Sequence, residues 1–186
     1  RVCHVARIIL KGIDNRMNIT TERLRLIPLK LDEFKLLLEE GVEKMESHLG
    51  LAHSGEVLDD HTQKALEYLY SEALKNPNEY LWYTNWQIVL KESNLMIGSA
   101  DFMGCPDEDG EVEIGYGIHE VHRNQGYMTE ALAALFSWAL KQKNVHFIMA
   151  ETEPSNIASQ KVLLNCGMQK YDENSEGCFW RLTKLE

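Results

Sequence analysis

Charged and apolar residues alternate over Arg23-Leu24-Arg25-Leu26, the period-two signature of a strand with one buried face, and Pro28 closes it before Leu29. Leu31 to Glu40 changes to helical spacing, with Phe34, Leu37 and Leu38 on one stripe and Gly41 placed to end it. Residues 42 to 58 have no firm period and read as loop with one helical turn. Asp60 to Asn76 predicts a second helix: Asp60 and Gln63 have capping-box spacing, Leu66, Leu69, Tyr70 and Ala73 share a face, and Pro77 stops it. Leu81 to Lys91 and Leu95 to Met103 predict two strands joined by Glu92-Ser93-Asn94, and a turn over Cys105 to Gly110 leads to a third, Glu111 to Ile118. Glycines inside that third strand, Gly115 and Gly117, imply a bulge or a close backbone approach.

Tyr127 to Lys143 is the longest predicted helix, with a stripe of Met128, Ala131, Leu132, Leu135 and Ala139. Val145 to Glu151 is continuously apolar and so reads as a buried strand parallel to a neighbour. A helix over Asn156 to Cys166, ended by Gly167, precedes a terminal strand, Cys178 to Leu185, paired with Met168 to Asp172. An antiparallel meander followed by strand-helix-strand-helix-strand predicts a single mixed α/β domain.

Composition narrows the function. A net charge of −10 over 186 residues argues against unspecific nucleic-acid binding, and no apolar run reaches the ~20 residues of a membrane span, so a cytoplasmic protein is expected. The acidic surface suits a cationic acceptor such as an amine, and equally serves solubility. Cys3, Cys105, Cys166 and Cys178 lie far apart with no CxxC pair, which favours reduced thiols over zinc or a disulfide framework. Residues 1–16 are basic and aperiodic before Met17, and read as a vector-derived or upstream extension to a domain spanning 17–186. His119-Glu120-Val121-His122 is one residue short of HExxH and falls in a loop, so no metal site is expected there.

The chemistry concentrates at Arg123-Asn124-Gln125-Gly126-Tyr127-Met128-Thr129-Glu130-Ala131. A strand ends near Ile118, a short loop crosses, and a helix opens at about Gly126. Unpartnered N–H groups and the helix dipole make such a start an anion site, and a glycine without Cβ lets a pyrophosphate approach. A plain strand-to-helix turn would use the glycine as well.

Arg-x-x-Gly-x-x followed by Thr-Glu-Ala, behind the strand Glu-Ile-Gly-Tyr-Gly-Ile, resembles the acetyl-CoA signature of the GNAT superfamily. It looks closest to the RimJ/RimL-like branch, whose members acetylate protein N-termini. The resemblance runs from about Thr20 to Leu185 and includes Thr21 to Leu26, Leu95 to Gly98, Asn156-Ile157-Ala158-Ser159 and Asn165-Cys166-Gly167-Met168. It implies acetyl-CoA as co-substrate and a pantetheine lying between two splayed strands, held by the backbone of Tyr116, Gly117 and Ile118. The pyrophosphate would rest on Arg123, Asn124, Gln125, Gly126, Tyr127, Met128 and Thr129, where Met128 replaces the family's small residue. Asn156 would bond pantetheine amides and Ser159 lie near the thioester, although Asn and Ser also favour helix starts for structural reasons. The place of the usual general-acid tyrosine is Leu163, which leaves Ser159 or water as the substitute. Glu113 lies ten residues before Arg123, the spacing of the general base in histone-acetylating relatives, and is otherwise a solvated or amine-recognising carboxylate.

The expected activity is direct transfer of acetyl to a primary amine, a protein N-terminus by branch resemblance, from a monomer or homodimer. Acetylation of a polyamine, amino acid or aminoglycoside is the alternative, as is an acyl-CoA sensor without catalysis. Trp82, Tyr83 and Trp86 are read as core or pocket aromatics, and Cys178 as structural.

Overall fold

A computed structural model describes residues 7–8 and 17–185. The assignment of residues 1–16 to an extension lies outside them, apart from the two-residue strand β1 (Arg7–Ile8). Strands β2 (Ile19–Thr20) and β3 (Leu24–Pro28) lead to helices α1 (Leu31–Glu40), α2 (Val42–His48) and α3 (Asp60–Lys75). Then follow β4 (Asn85–Leu90), β5 (Leu95–Phe102), β6 (Glu111–Ile118), α4 (Tyr127–Ala139), β7 (Phe147–Thr152), α5 (Ile157–Asn165), β8 (Gln169–Glu173) and β9 (Cys178–Thr183). Among the described residues these strands form one mixed sheet in the order β1-β2-β3-β4-β5-β6-β7-β9-β8, in which β6 and β7 run parallel and the other neighbours antiparallel.

Alternation along the strands sends side chains to two cores. Leu24, Leu26, Trp86, Ile88, Ala100, Phe102, Val112 and Ile114 pack with the stripe of α4 on one face. Ile27, Leu29, Val89 and Met96 pack with α1, α2 and α3 on the other. A β-bulge shifts the register of β4 on β5 from Ile88–Gly98 to Val89–Met96, with Ile97 as the extra residue.

Four expectations need correction. Residues 42–48 form α2, which turns only Val42, Met45 and Glu46 inward, too few for a visible period. The cap of α3 is Asp59, whose carboxylate accepts from Thr62 N at 2.7 Å, rather than an Asp60–Gln63 box. Pro77–Trp82 forms 3-10 turns instead of extending the next strand, which begins at Asn85; Trp82 and Trp86 stack around Trp138 in the core. Helix α4 ends at Ala139, four residues before Lys143.

Strands β6 and β7 pair only at Glu111–Phe147, Val112–Ile148 and Glu113–Met149. Beyond that stem they separate, while each keeps its outer neighbour: β6 follows β5 to Ile118, and β7 follows β9 to Thr152. The inner backbone edges above Glu113 and Met149 therefore form an open fork in the sheet.

Candidate active site

The fork opens onto a cleft of about 520 Å³ between β6 and the first turns of α4 and α5. Tyr116, Gly117 and Ile118 form one wall, Arg123, Asn124, Gly126, Tyr127, Met128 and Thr129 the second, and Asn156 and Ser159 the third. Of the cofactor residues expected from sequence, Gln125 alone is missing from this lining; its side chain turns back to donate to Val121 O at 3.2 Å.

Gly126 is the N-cap of α4 with φ +77°, a left-handed conformation that favours glycine, and Asn124 ahead of it has φ 60°. This bend turns the first N–H groups of the helix toward the cleft, where they have no intrahelical acceptor. Met128 is 4% exposed because its side chain enters the core, so its bulk is directed away from the cleft. Asn156 caps α5, its Oδ1 accepting from Ser159 N at 3.1 Å, and Ser159 O accepts from the Tyr116 hydroxyl at 3.3 Å. Burial pushes the Tyr116 phenol up to about 12. Leu163 is fully buried in the core.

A lock invisible to local pattern anchors the loop. Glu130, in the first turn of α4, accepts from Thr21 Oγ1 at 2.6 Å, Arg23 N at 2.8 Å and Arg23 Nε at 2.7 Å. Arg23 also donates to Gln125 O at 3.0 Å, and its guanidinium lies 4.4 Å from the centre of the Tyr127 ring. Burial alone would raise the Glu130 carboxyl, but the hydrogen bonds from Thr21 and Arg23 and the guanidinium charge hold it below its ordinary value. The carboxylate thus stays ionised and fixes the approach of the loop to β3.

Glu113 stands at the last paired position of the stem and lines neither this cleft nor the cavity described next. Partial burial, then repulsion from Glu151, raises its carboxyl above the ordinary range.

The opposite face of the sheet holds a second cavity of about 460 Å³, between β4–β6 and α1–α3. Apolar groups from Leu37, Met45, Leu66 and Met96 and acids from Glu56, Asp59 and Glu120 line it, with Asn85, Gln87 and Ser99 from the sheet. Gly117, Ile118 and Arg123 line both cavities, so the two meet across the end of β6. His119 Nδ1 lies 3.6 Å from Glu56 Oε1, and burial lowers the imidazole pKa despite that carboxylate. Sequence reading missed Asn85, Gln87 and His119 because contacts between strands far apart in sequence bring them together. Of the cysteines, Cys178 is buried and Cys105 and Cys166 are half-buried; none of these three is joined in a disulfide among the described residues, and Cys3 lies outside them.

These features fit acetyl-CoA in kind: a helix start for anionic phosphates, a glycine that admits close approach, and an unpaired strand edge for an extended amide-bearing arm. Comparison with known proteins agrees. The acetyltransferase (GNAT) domain family matches residues 23–169. An uncharacterized N-acetyltransferase, YjdG of Bacillus subtilis (strain 168), is 31% identical over 162 residues, covering 87% of this chain and 95% of its own. Among solved structures, the ribosomal-protein-S5-alanine acetyltransferase from Vibrio fischeri superposes with a TM-score of 0.63 at 19% identity, over 90% of this chain and 97% of the other. RimL, a ribosomal L7/L12 alpha-N-protein acetyltransferase solved in complex with coenzyme A, gives 0.60 at 16% identity, over 88% and 95%. The chain therefore belongs to the GNAT family and is an N-acetyltransferase.

Proposed function

We infer that the protein transfers an acetyl group from acetyl-CoA to a primary amine, with a protein N-terminus as the first acceptor to test. One observation carries this reading: two cavities on opposite faces of the sheet share Gly117, Ile118 and Arg123, so a donor in one and an acceptor in the other meet at a single point. Acetyl-CoA, when bound, supplies the acetyl group as an activated thioester. Arg123 and the N–H groups of Gly126 to Thr129 hold its anionic end, and the unpaired edge of Tyr116 to Ile118 bonds its amide-bearing arm. Asn156 presents its carboxamide to the same arm, and the Ser159 hydroxyl offers a proton near sulfur. Glu113, its basicity raised by burial, takes a proton from the acceptor ammonium through water, which leaves the neutral amine to attack the thioester carbonyl as the C–S bond breaks. RimL and the ribosomal-protein-S5-alanine acetyltransferase are named for protein acceptors, which favours N-termini over polyamines, amino acids and aminoglycosides.

The test is release of CoA thiol from acetyl-CoA, measured with peptides varied at the N-terminal residue and with a panel of small amines. Turnover with at least one peptide is expected, and turnover with small amines alone would move the acceptor assignment. Acetyl-CoA binding without thiol release from any of them would replace the enzyme by an acyl-CoA sensor.

A further inference from the structure

A line of polar side chains crosses the second cavity's side of the sheet, beside the apolar Ile27, Val89 and Met96. Gln87 is 1% exposed and Asn85 is 2% exposed, and both line the cavity. Gln87 Nε2 donates to Asn85 Oδ1, and Asn85 Nδ2 donates to Asp101 Oδ1 at 3.0 Å. Every donor in the line points toward Asp101, so a negative charge there polarises each amide in turn and makes the last oxygen, Gln87 Oε1, a stronger acceptor. That oxygen is buried and accepts a hydrogen bond from no described residue. Buried acceptors without a donor are rare in folded proteins, and one at a cavity wall marks a place for a donor from outside. Burial raises the Asp101 carboxyl to about 6, which still leaves it ionised at neutral pH.

We propose that the second cavity binds a primary ammonium carried on an apolar skeleton, that Gln87 Oε1 accepts one of its N–H groups, and that Asn85 and Asp101 strengthen this bond. Leu37, Met45, Leu66 and Met96 receive the skeleton, while Glu56, Asp59 and Glu120 make the surroundings favourable to a cation. The inference builds on the reading of this cavity as the acceptor side, and adds which group holds the amine and what the amine carries. An ammonium offers three donors and no acceptor, which matches a wall that presents an unused acceptor and carboxylates. A neutral alcohol of the same shape would bring one donor and no charge.

Calorimetry on protein saturated with CoA, using 3-methylbutylamine and 3-methylbutan-1-ol as probes, reads the subsite without requiring turnover. Loss of acetyl transfer would overturn the enzyme reading, whereas loss of amine binding would overturn this one. The amine is expected to bind at least tenfold more tightly than the alcohol at pH 7. Gln87→Met keeps the shape and removes the acceptor; it should weaken the amine at least tenfold and the alcohol, which loses one neutral hydrogen bond, by less, with CoA affinity unchanged. Asp101→Asn keeps the bond from Asn85 and removes the charge, so it should weaken the amine about threefold or more and the alcohol by less, and it serves if Gln87→Met does not fold. Equal affinities for amine and alcohol in the wild type would overturn the proposal, as would a folded variant that binds the amine like the wild type.

Discussion

Asp101→Asn should make the protein more stable at neutral and alkaline pH. The side chain is largely enclosed, and among the described residues the one stabilising contact on its carboxylate is the bond from Asn85, so burial raises its pKa from an ordinary 3.8 to about 6. The folded state then holds the proton more tightly than the unfolded chain. Stability from this group is complete below the unfolded pKa and is lost as pH rises through about 6. Full loss corresponds to about 3 kcal/mol, at 1.36 kcal/mol per pKa unit. At pH 5 about half of that is lost, and at pH 8 essentially all of it. Asparagine has the same shape, still accepts from Asn85 through its carbonyl, and has no charge to bury. The variant's advantage over wild type should therefore grow by about 1.5 kcal/mol between pH 5 and pH 8. Urea unfolding of both proteins at the two pH values measures this through the midpoint at constant slope. A difference that stays flat with pH, or a variant less stable at pH 8, would refute the claim that Asp101 is ionised at a cost.

Three further outcomes follow from the cofactor cleft and the stem of the fork. Gly126→Val forces a branched residue into φ +77° at the helix start and should weaken CoA binding more than tenfold, about 1.4 kcal/mol, by calorimetry. Glu130→Ala removes the acceptor of Thr21 and both Arg23 bonds; CoA affinity should fall severalfold, with faster proteolysis around residues 121–126 as a second readout. Glu113→Gln should lower turnover by ~10²-fold at neutral pH, with partial recovery at high pH and unchanged acetyl-CoA affinity, because the raised carboxyl then no longer accepts a proton. Superimposable pH–rate profiles for wild type and Glu113→Gln would leave the carboxylate without that role.

Legibility in the sequence followed the range of the contacts. Helix α4 and the Gly126 turn were readable because each depends on residues within a dozen positions: an apolar stripe and a loop glycine. The three-pair stem and the open edges above it follow from the glycine-bearing strand only once its partner is known. Helix α2 escaped because two buried apolar residues over seven positions make no period, and its third buried residue, Glu46, is held by the backbone N–H of Ser54 instead of by apolar packing. The end of the 3-10 segment before β4 passed for strand because Leu81 and Trp82 have strand-like composition, while Pro77 at its start favours a helical turn. Arg23 and Glu130 are 107 residues apart, and Asn85 and Asp101 are joined only by strand register, so neither pairing leaves a local trace.

The fork also divides the sheet mechanically. The strands up to β6 form one plate and β7, β9 and β8 another, and the hydrogen-bonded connection between the plates is the stem of three residue pairs. Twisting about this stem changes the width of the gap while breaking few bonds, so its compliance is concentrated at one place in an otherwise continuously bonded sheet. An extended arm bonded to the free edge of β6 would add a strand to the first plate and occupy part of the gap.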